Sequence, residues 1–211
     1  MALYLQKTFE NGASIYVWEM TESESDLIDS YPIPSNDIQE ISLLKSEKKR
    51  IEKLAVRALL SVIFNEKTYL GHHENGLPFL QNKLEKISIS HSDRFVAIII
   101  HEEERVAIDI ERLNRDFSAV EKKALSKKEI RQLSTKHRDL HLAICWSCKE
   151  SVFKKMSTDN VNFAEQIAIK KFSPDDEGTL EVTFIHQDGD KDEMEVFYEI
   201  VDNHIMTWII E

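Results

Sequence analysis

Two stretches, Ser92-Asp-Arg-Phe-Val-Ala-Ile-Ile-Ile100 and Asp202-Asn-His-Ile-Met-Thr-Trp-Ile-Ile210, follow one pattern: a polar turn, then an apolar run rich in β-branched residues. Such runs suit half-buried or buried strands. Upstream of each lies a Lys/Arg-rich helical segment, opening Leu44-Lys-Ser-Glu-Lys-Lys in one case and Leu125-Ser-Lys-Lys-Glu in the other. The order, basic helix and then small sheet, therefore occurs twice. It predicts an α+β fold of two similar subdomains, 1–112 and 113–211, related by a pseudo-two-fold axis, with the active site at their interface. Ligand sites favour such places.

Working outward, Leu3 to Thr8 and Ser14 to Glu19 flank Asn11-Gly12 and read as a β-hairpin. Leu44 to Phe64 carries apolar residues at Ile51, Leu54, Ala55, Ala58, Leu59 and Val62, the stripe of an amphipathic helix. Ile87 to Ser90, Phe95 to His101 and Val106 to Ile110 are strand-like. Ala119 to Met156 is mostly helical, with a break near Ser134-Thr135. Four further runs up to Ile210 read as an antiparallel meander.

The chain has 211 residues, 42% hydrophobic and 31% charged, with only 5 Gly and 4 Pro, which excludes collagenous and disordered classes. The longest clean apolar run, Phe95 to Ile100, is far short of the roughly 20 residues of a bilayer helix. MALYLQKTFENG lacks the basic flank and apolar stretch of a secretory signal. Two cysteines, Cys145 and Cys148, make no disulfide framework. A cytoplasmic, monomeric protein without membrane contact is expected.

The formal net charge of −11 argues against nucleic acid as partner. Charge is nevertheless uneven: 174–211 carries a net −11, whereas Arg112 to Arg138 carries +6 and Lys45 to Arg57 carries +4. An acidic protein with two basic segments suggests anionic ligands or partners, although solvated helix faces give the same pattern.

Chemistry-bearing residues fall in four places. Asp109 and Glu111 sit two apart in a strand, so both carboxylates point to one face and form a hard-oxygen pair suited to Mg²⁺. In Trp146-Ser-Cys-Lys-Glu-Ser-Val-Phe-Lys154, Trp146, Glu150 and Lys154 share a helical face, with Lys149 beside them. A surface salt-bridge ladder would have the same spacing. His91 ends a strand within Ile89-Ser-His-Ser92, and Asn75-Gly-Leu-Pro78 is a turn. Cys145-Trp-Ser-Cys148 lies inside a helical pattern rather than at a helix start, and it has no second pair, so neither redox nor zinc chemistry is expected of it.

In this order the pieces resemble the 4′-phosphopantetheinyl transferase superfamily, of the type that activates surfactin and enterobactin synthetases. The family pattern V/I-G-V/I-D-x-E is similar to Val106-Ala-Ile-Asp-Ile-Glu111, and F-S-x-x-E to Leu125-Ser-Lys-Lys-Glu129. W-x-x-K-E-A/S-x-x-K is similar to Trp146 to Lys154. N-x-S-H-S and G-K/R-P are similar to Ile89 to Ser92 and Gly76-Leu-Pro78, and an arginine helix to Arg50 to Arg57. Two positions depart: Ala107 replaces a glycine, and Leu77 replaces the basic residue of G-K/R-P.

The resemblance implies a Mg²⁺-dependent transfer of 4′-phosphopantetheine from coenzyme A to a serine of an apo acyl or peptidyl carrier protein, in fatty acid or secondary metabolite biosynthesis. Asp109, Glu111 and Glu150 would hold the metal, with Glu150 as base. Lys154 would neutralise the phosphate, and Glu129 would orient water or metal. Arg50, Arg57, Gly76, Pro78, Ser90, His91 and Lys149 would contact coenzyme A. The +4 segment then faces coenzyme A and the +6 segment the acidic carrier. Competing readings are a non-catalytic module that binds coenzyme A or carrier protein, and a Mg²⁺ phosphodiester hydrolase.

Overall fold

A computed structural model describes residues 3–158 and 160–210; Met1 and Ala2 of the N-terminal stretch, Asp159, and Glu211 of the acidic segment lie outside them. The chain divides into two compact units, Met1–Glu104 and Arg105–Glu211.

The first unit opens with strands β1 (Leu3–Thr8) and β2 (Ser14–Glu19). The loop between them turns at Gly12, whose φ of +93° only glycine adopts without strain. Three helices follow: α1 (Glu24–Ser30), α2 (Ser35–Ser42) and α3 (Glu47–Phe64). Ser46 caps α3, accepting from the Lys49 amide, and Asn65 ends it in the left-handed conformation. Short strands β3 (Leu70–His72) and β4 (Pro78–Leu80) pair with each other; β5 (Lys86–Ser92) and β6 (Phe95–His101) complete a four-stranded antiparallel sheet in the order β1-β2-β6-β5. The apolar side of α3 (Leu54, Ala55, Ala58, Leu59) joins Trp18, Leu27, Val96 and Ile98 in one core.

The second unit begins at β7 (Val106–Arg112), followed by α4 (Ser118–Lys123), α5 (Lys127–Gln132), α6 (Arg138–Met156) and the single turn α7 (Phe163–Gln166). Strands β8 (Ile167–Ile169), β9 (Glu177–Ile185), β10 (Lys191–Val201) and β11 (His204–Ile210) complete a five-stranded antiparallel sheet, β7-β11-β10-β9-β8. Its core packs Ala143, Ile144, Cys148 and Val152 of α6 with Ala107, Val196, Ile205 and Ile209. The boundary expected after residue 112 falls instead after 104, because β7 hydrogen-bonds to β11 along its whole length.

The recurrence in the sequence corresponds to a recurrence of topology. Each unit has a strand, a long helix and then a hairpin whose last strand inserts beside the first: β2-β6-β5 in one, β7-β11-β10 in the other. The matched stretches form β6 and β11. Their two-residue turns use left-handed residues, Asp93 at φ 50° and Asp202-Asn203 at 40° and 61°, the conformation that tight hairpins require.

Candidate active site

Strand alternation puts Asp109 and Glu111 on the face of β7 that receives α6, and α6 answers with residues four apart. Lys154 Nζ lies 2.8 Å from Asp109 Oδ1 and 2.9 Å from the Ile108 carbonyl oxygen. Ser147 Oγ donates to Asp109 Oδ2 at 2.8 Å. Trp146 Nε1 donates to Glu111 Oε1 at 2.7 Å, while Arg115 Nη1 donates to Glu111 Oε2 at 2.6 Å. A polar chain behind the site joins Ser147, Ser151 and Thr207 at 2.7–3.0 Å, and Thr207 lies opposite Asp109 in the β7–β11 register.

Glu150 occupies the turn between Trp146 and Lys154. Its carboxyl is pushed up to about 7: burial is the largest cause, the charges of Asp109 and Glu111 add to it, and Lys154 and Arg115 oppose it. Three carboxylates therefore share one field with two cations. Among the described residues, no three His, Cys, Asp or Glu side chains form a ready-made metal cage.

Beside the cluster runs a groove of about 490 Å³ whose walls include Arg115, Val120, Lys123, Trp146, Asn162 and Phe163. The Arg115 guanidinium lies 4.8 Å from the Phe117 ring centroid and 5.8 Å from that of Trp146.

Residues 105–209 match the sequence profile of the 4′-phosphopantetheinyl transferase superfamily. The chain belongs to that superfamily through this second unit. Superfamily membership makes it a transferase of the phosphopantetheinyl kind with an α+β fold. No curated protein matches the chain. No helix among the described residues is long and apolar enough to cross a membrane.

Of the residues singled out in the sequence, the structure gathers Asp109, Glu111, Glu150 and Lys154. Lys149 and Glu129 are elsewhere. Lys149 is fully buried, and its ammonium donates to Glu129 at 2.9–3.0 Å and to the carbonyls of Phe163 and Ile167 at 2.9 and 2.6 Å. Glu129 also accepts from the amides of Ser126 and Ile169. With three protein acceptors, the Lys149 ammonium is saturated inside the unit and holds α5, α6 and the α7–β8 turn together, so it is not presented to a ligand.

The other residues lie in the first unit. Arg50 grips Glu24 at 2.8–2.9 Å and the Leu44 carbonyl, and Arg57 Nε donates to Asp37 at 2.7 Å. Gly76 sits at φ +82° in the β3–β4 turn, with Pro78 opening β4. Ser90 is buried on β5, and His91 is half exposed, 3.8 Å from Glu52.

The sequence reading passed over Arg115, Ser147, Ser151 and Thr207. The i, i+4 spacing of Glu111 and Arg115 was a visible signal; the serines and Thr207 become meaningful only once the β7–β11 register is known. Cys145 and Cys148 are both buried, and burial pushes their thiols up, Cys145 to about 12. That suits packing and not redox work.

Two predictions arise. Lys149→Met leaves the Glu129 carboxylate buried without its counter-ion and should cost about 3–5 kcal/mol in urea unfolding; a loss below about 1 kcal/mol would show the pair to be dispensable. Because Glu150 binds its proton more tightly folded than unfolded, it favours the folded state below its ordinary value of 4.5, and this advantage disappears as pH rises towards 7. Without divalent cations, Glu150→Gln should therefore be more stable than wild type at pH 8, by on the order of 1–3 kcal/mol, and close to it at pH 4.5. Thermal unfolding at both pH values checks the sign.

Proposed function

We propose that this protein transfers 4′-phosphopantetheine from coenzyme A to a serine hydroxyl of an apo carrier protein, releasing adenosine 3′,5′-bisphosphate. The observation that carries the reading is the convergence of Asp109 and Glu111 of β7 with Glu150 and Lys154 of α6 inside the superfamily domain. The serine oxygen forms a bond to the pantetheine-side phosphorus, and the phosphoanhydride bond to the adenosine-side phosphate breaks. Glu150, its proton affinity poised near neutrality, accepts the serine proton. Lys154, held on Asp109 and the Ile108 carbonyl, supplies positive charge where the leaving phosphate accumulates negative charge. Arg50, Arg57 and His91 are the candidates for the adenine-side phosphates, where guanidinium forks fit best.

The donor set fits a magnesium ion. Asp109, Glu111 and Glu150 are hard oxygen donors, each carboxylate offers about four lone-pair positions, and the charges of Asp109 and Glu111 acting on Glu150 make further positive charge favourable there. When bound, Mg²⁺ would act as Lewis acid on the pyrophosphate.

The acidic carrier finds its complement in Lys122, Lys123, Lys127, Lys128 and Arg131, all exposed on α4 and α5.

Incubating apo carrier proteins with the protein, coenzyme A and Mg²⁺ should add one phosphopantetheine, read by intact mass. Asp109→Ala and Glu150→Ala should each abolish the gain while keeping the fold. Coenzyme A bound without transfer would favour the non-catalytic module, and nucleotide turnover without carrier the hydrolase. Reversing Lys127 and Lys128 to Glu should raise KM for carrier about tenfold, as expected if two rim charges together contribute about 1.4 kcal/mol. KM for coenzyme A should barely move; equal effects on both would reduce these lysines to a solvated face.

A further inference from the structure

Both oxygens of Glu111 have protein partners, and the two partners differ in kind. Trp146 Nε1 on Oε1 belongs to α6 and is packed against the core. Arg115 on Oε2 comes from the connection after β7, and its side chain is 41% exposed. The other cation of the cluster is more firmly held: Lys154 is anchored on the Ile108 carbonyl as well as on Asp109, with 22% exposure. Arg115 also makes contacts that do not involve Glu111. Its planar guanidinium lies against the rings of Phe117 and Trp146, in the wall of the groove. Giving up a partly exposed ion pair costs little, and the aromatic contacts would keep the freed side chain in place.

Resting on the metal reading above, we propose that Arg115 is a built-in competitor for the metal carboxylate. It holds Glu111 Oε2 until a divalent cation takes that oxygen, and its release leaves a cation on the groove wall beside Trp146. Arg115 is thus a positioning residue acting through Glu111, and occupation of the metal site is coupled to the charge presented in the groove.

The experiment is a titration of the full chain with Mn²⁺ alone, free ion being read by electron paramagnetic resonance, without coenzyme A or carrier. Arg115→Met should bind Mn²⁺ about threefold more tightly than wild type, and Arg115→Lys should stay near wild type. In a Glu111→Gln background the Met substitution should have no effect. Lys123→Met, which removes a charge from the same groove but contacts neither Glu111 oxygen in these hydrogen bonds, should leave affinity unchanged. Unchanged or weaker binding in Arg115→Met, persistence of its effect without Glu111, or an equal gain in Lys123→Met would each overturn the competitor role in favour of a diffuse field. Loss of Mn²⁺ binding in Asp109→Asn supports the metal reading by itself. If wild type and Arg115→Met both fail to bind Mn²⁺, that reading falls and the proposal falls with it.

Discussion

A carboxylate that is 95% removed from solvent has to be matched by charge and hydrogen bonds, and Asp109, at 5% exposure, is the point on which the second unit turns. Lys154 supplies the charge and Ser147 the hydroxyl, both from α6. Because these residues lie seven apart, two helical turns, satisfying Asp109 fixes both the rotation and the height of α6 over β7. Glu150 lies between them in sequence and is carried into the field of the β7 carboxylates by the same constraint. Removing one partner of a buried pair typically costs about 3–5 kcal/mol, so the geometry of the cluster is inseparable from the stability of the unit. A second buried pair, Glu129 with Lys149, fastens the other side of α6. The helix is held between two ionic anchors, which accounts for ten of its residues being buried with no clean apolar stripe.

Much of this was legible beforehand. Strands such as β6 and β11 announce themselves through β-branched runs, and α3 through its stripe. Elements whose existence depends on tertiary support were not: α2, the pair β3–β4 and the single turn α7 are short, and nothing in their local composition separates them from loops. In the site, spacing correctly put Trp146, Glu150 and Lys154 on one helical face, and alternation put Asp109 and Glu111 on one strand face. Spacing could not distinguish Lys149 from Lys154. Both lie in the same motif, but a helix turns by about 100° per residue, and five residues separate an ammonium saturated in the interior from one at the cluster. Thr207 was illegible for another reason: its role depends on a strand register joining positions almost a hundred residues apart.

The two units carry different kinds of residue. The superfamily profile covers the unit with the carboxylates, while Arg50, Arg57 and His91 lie in the other, beside Glu24, Asp37 and Glu52. Glu24 and Asp37 hold the two guanidinium groups in defined orientations, so any phosphate that approaches would compete with a carboxylate already in place. The charge that these guanidinium groups present to solvent is set by their carboxylate partners rather than by the number of arginines.

Burial of the two cysteines has a consequence for any exposure to small thiols and disulfides. Disulfide exchange proceeds through the thiolate, and a thiol whose proton is held to about 12 is ionised in fewer than about one molecule in ten thousand at neutral pH. Cys145 and Cys148 are also out of reach of solvent. The protein is therefore poorly disposed to form mixed disulfides with small thiols in solution, and oxidation of a surrounding thiol pool would leave it uncaptured.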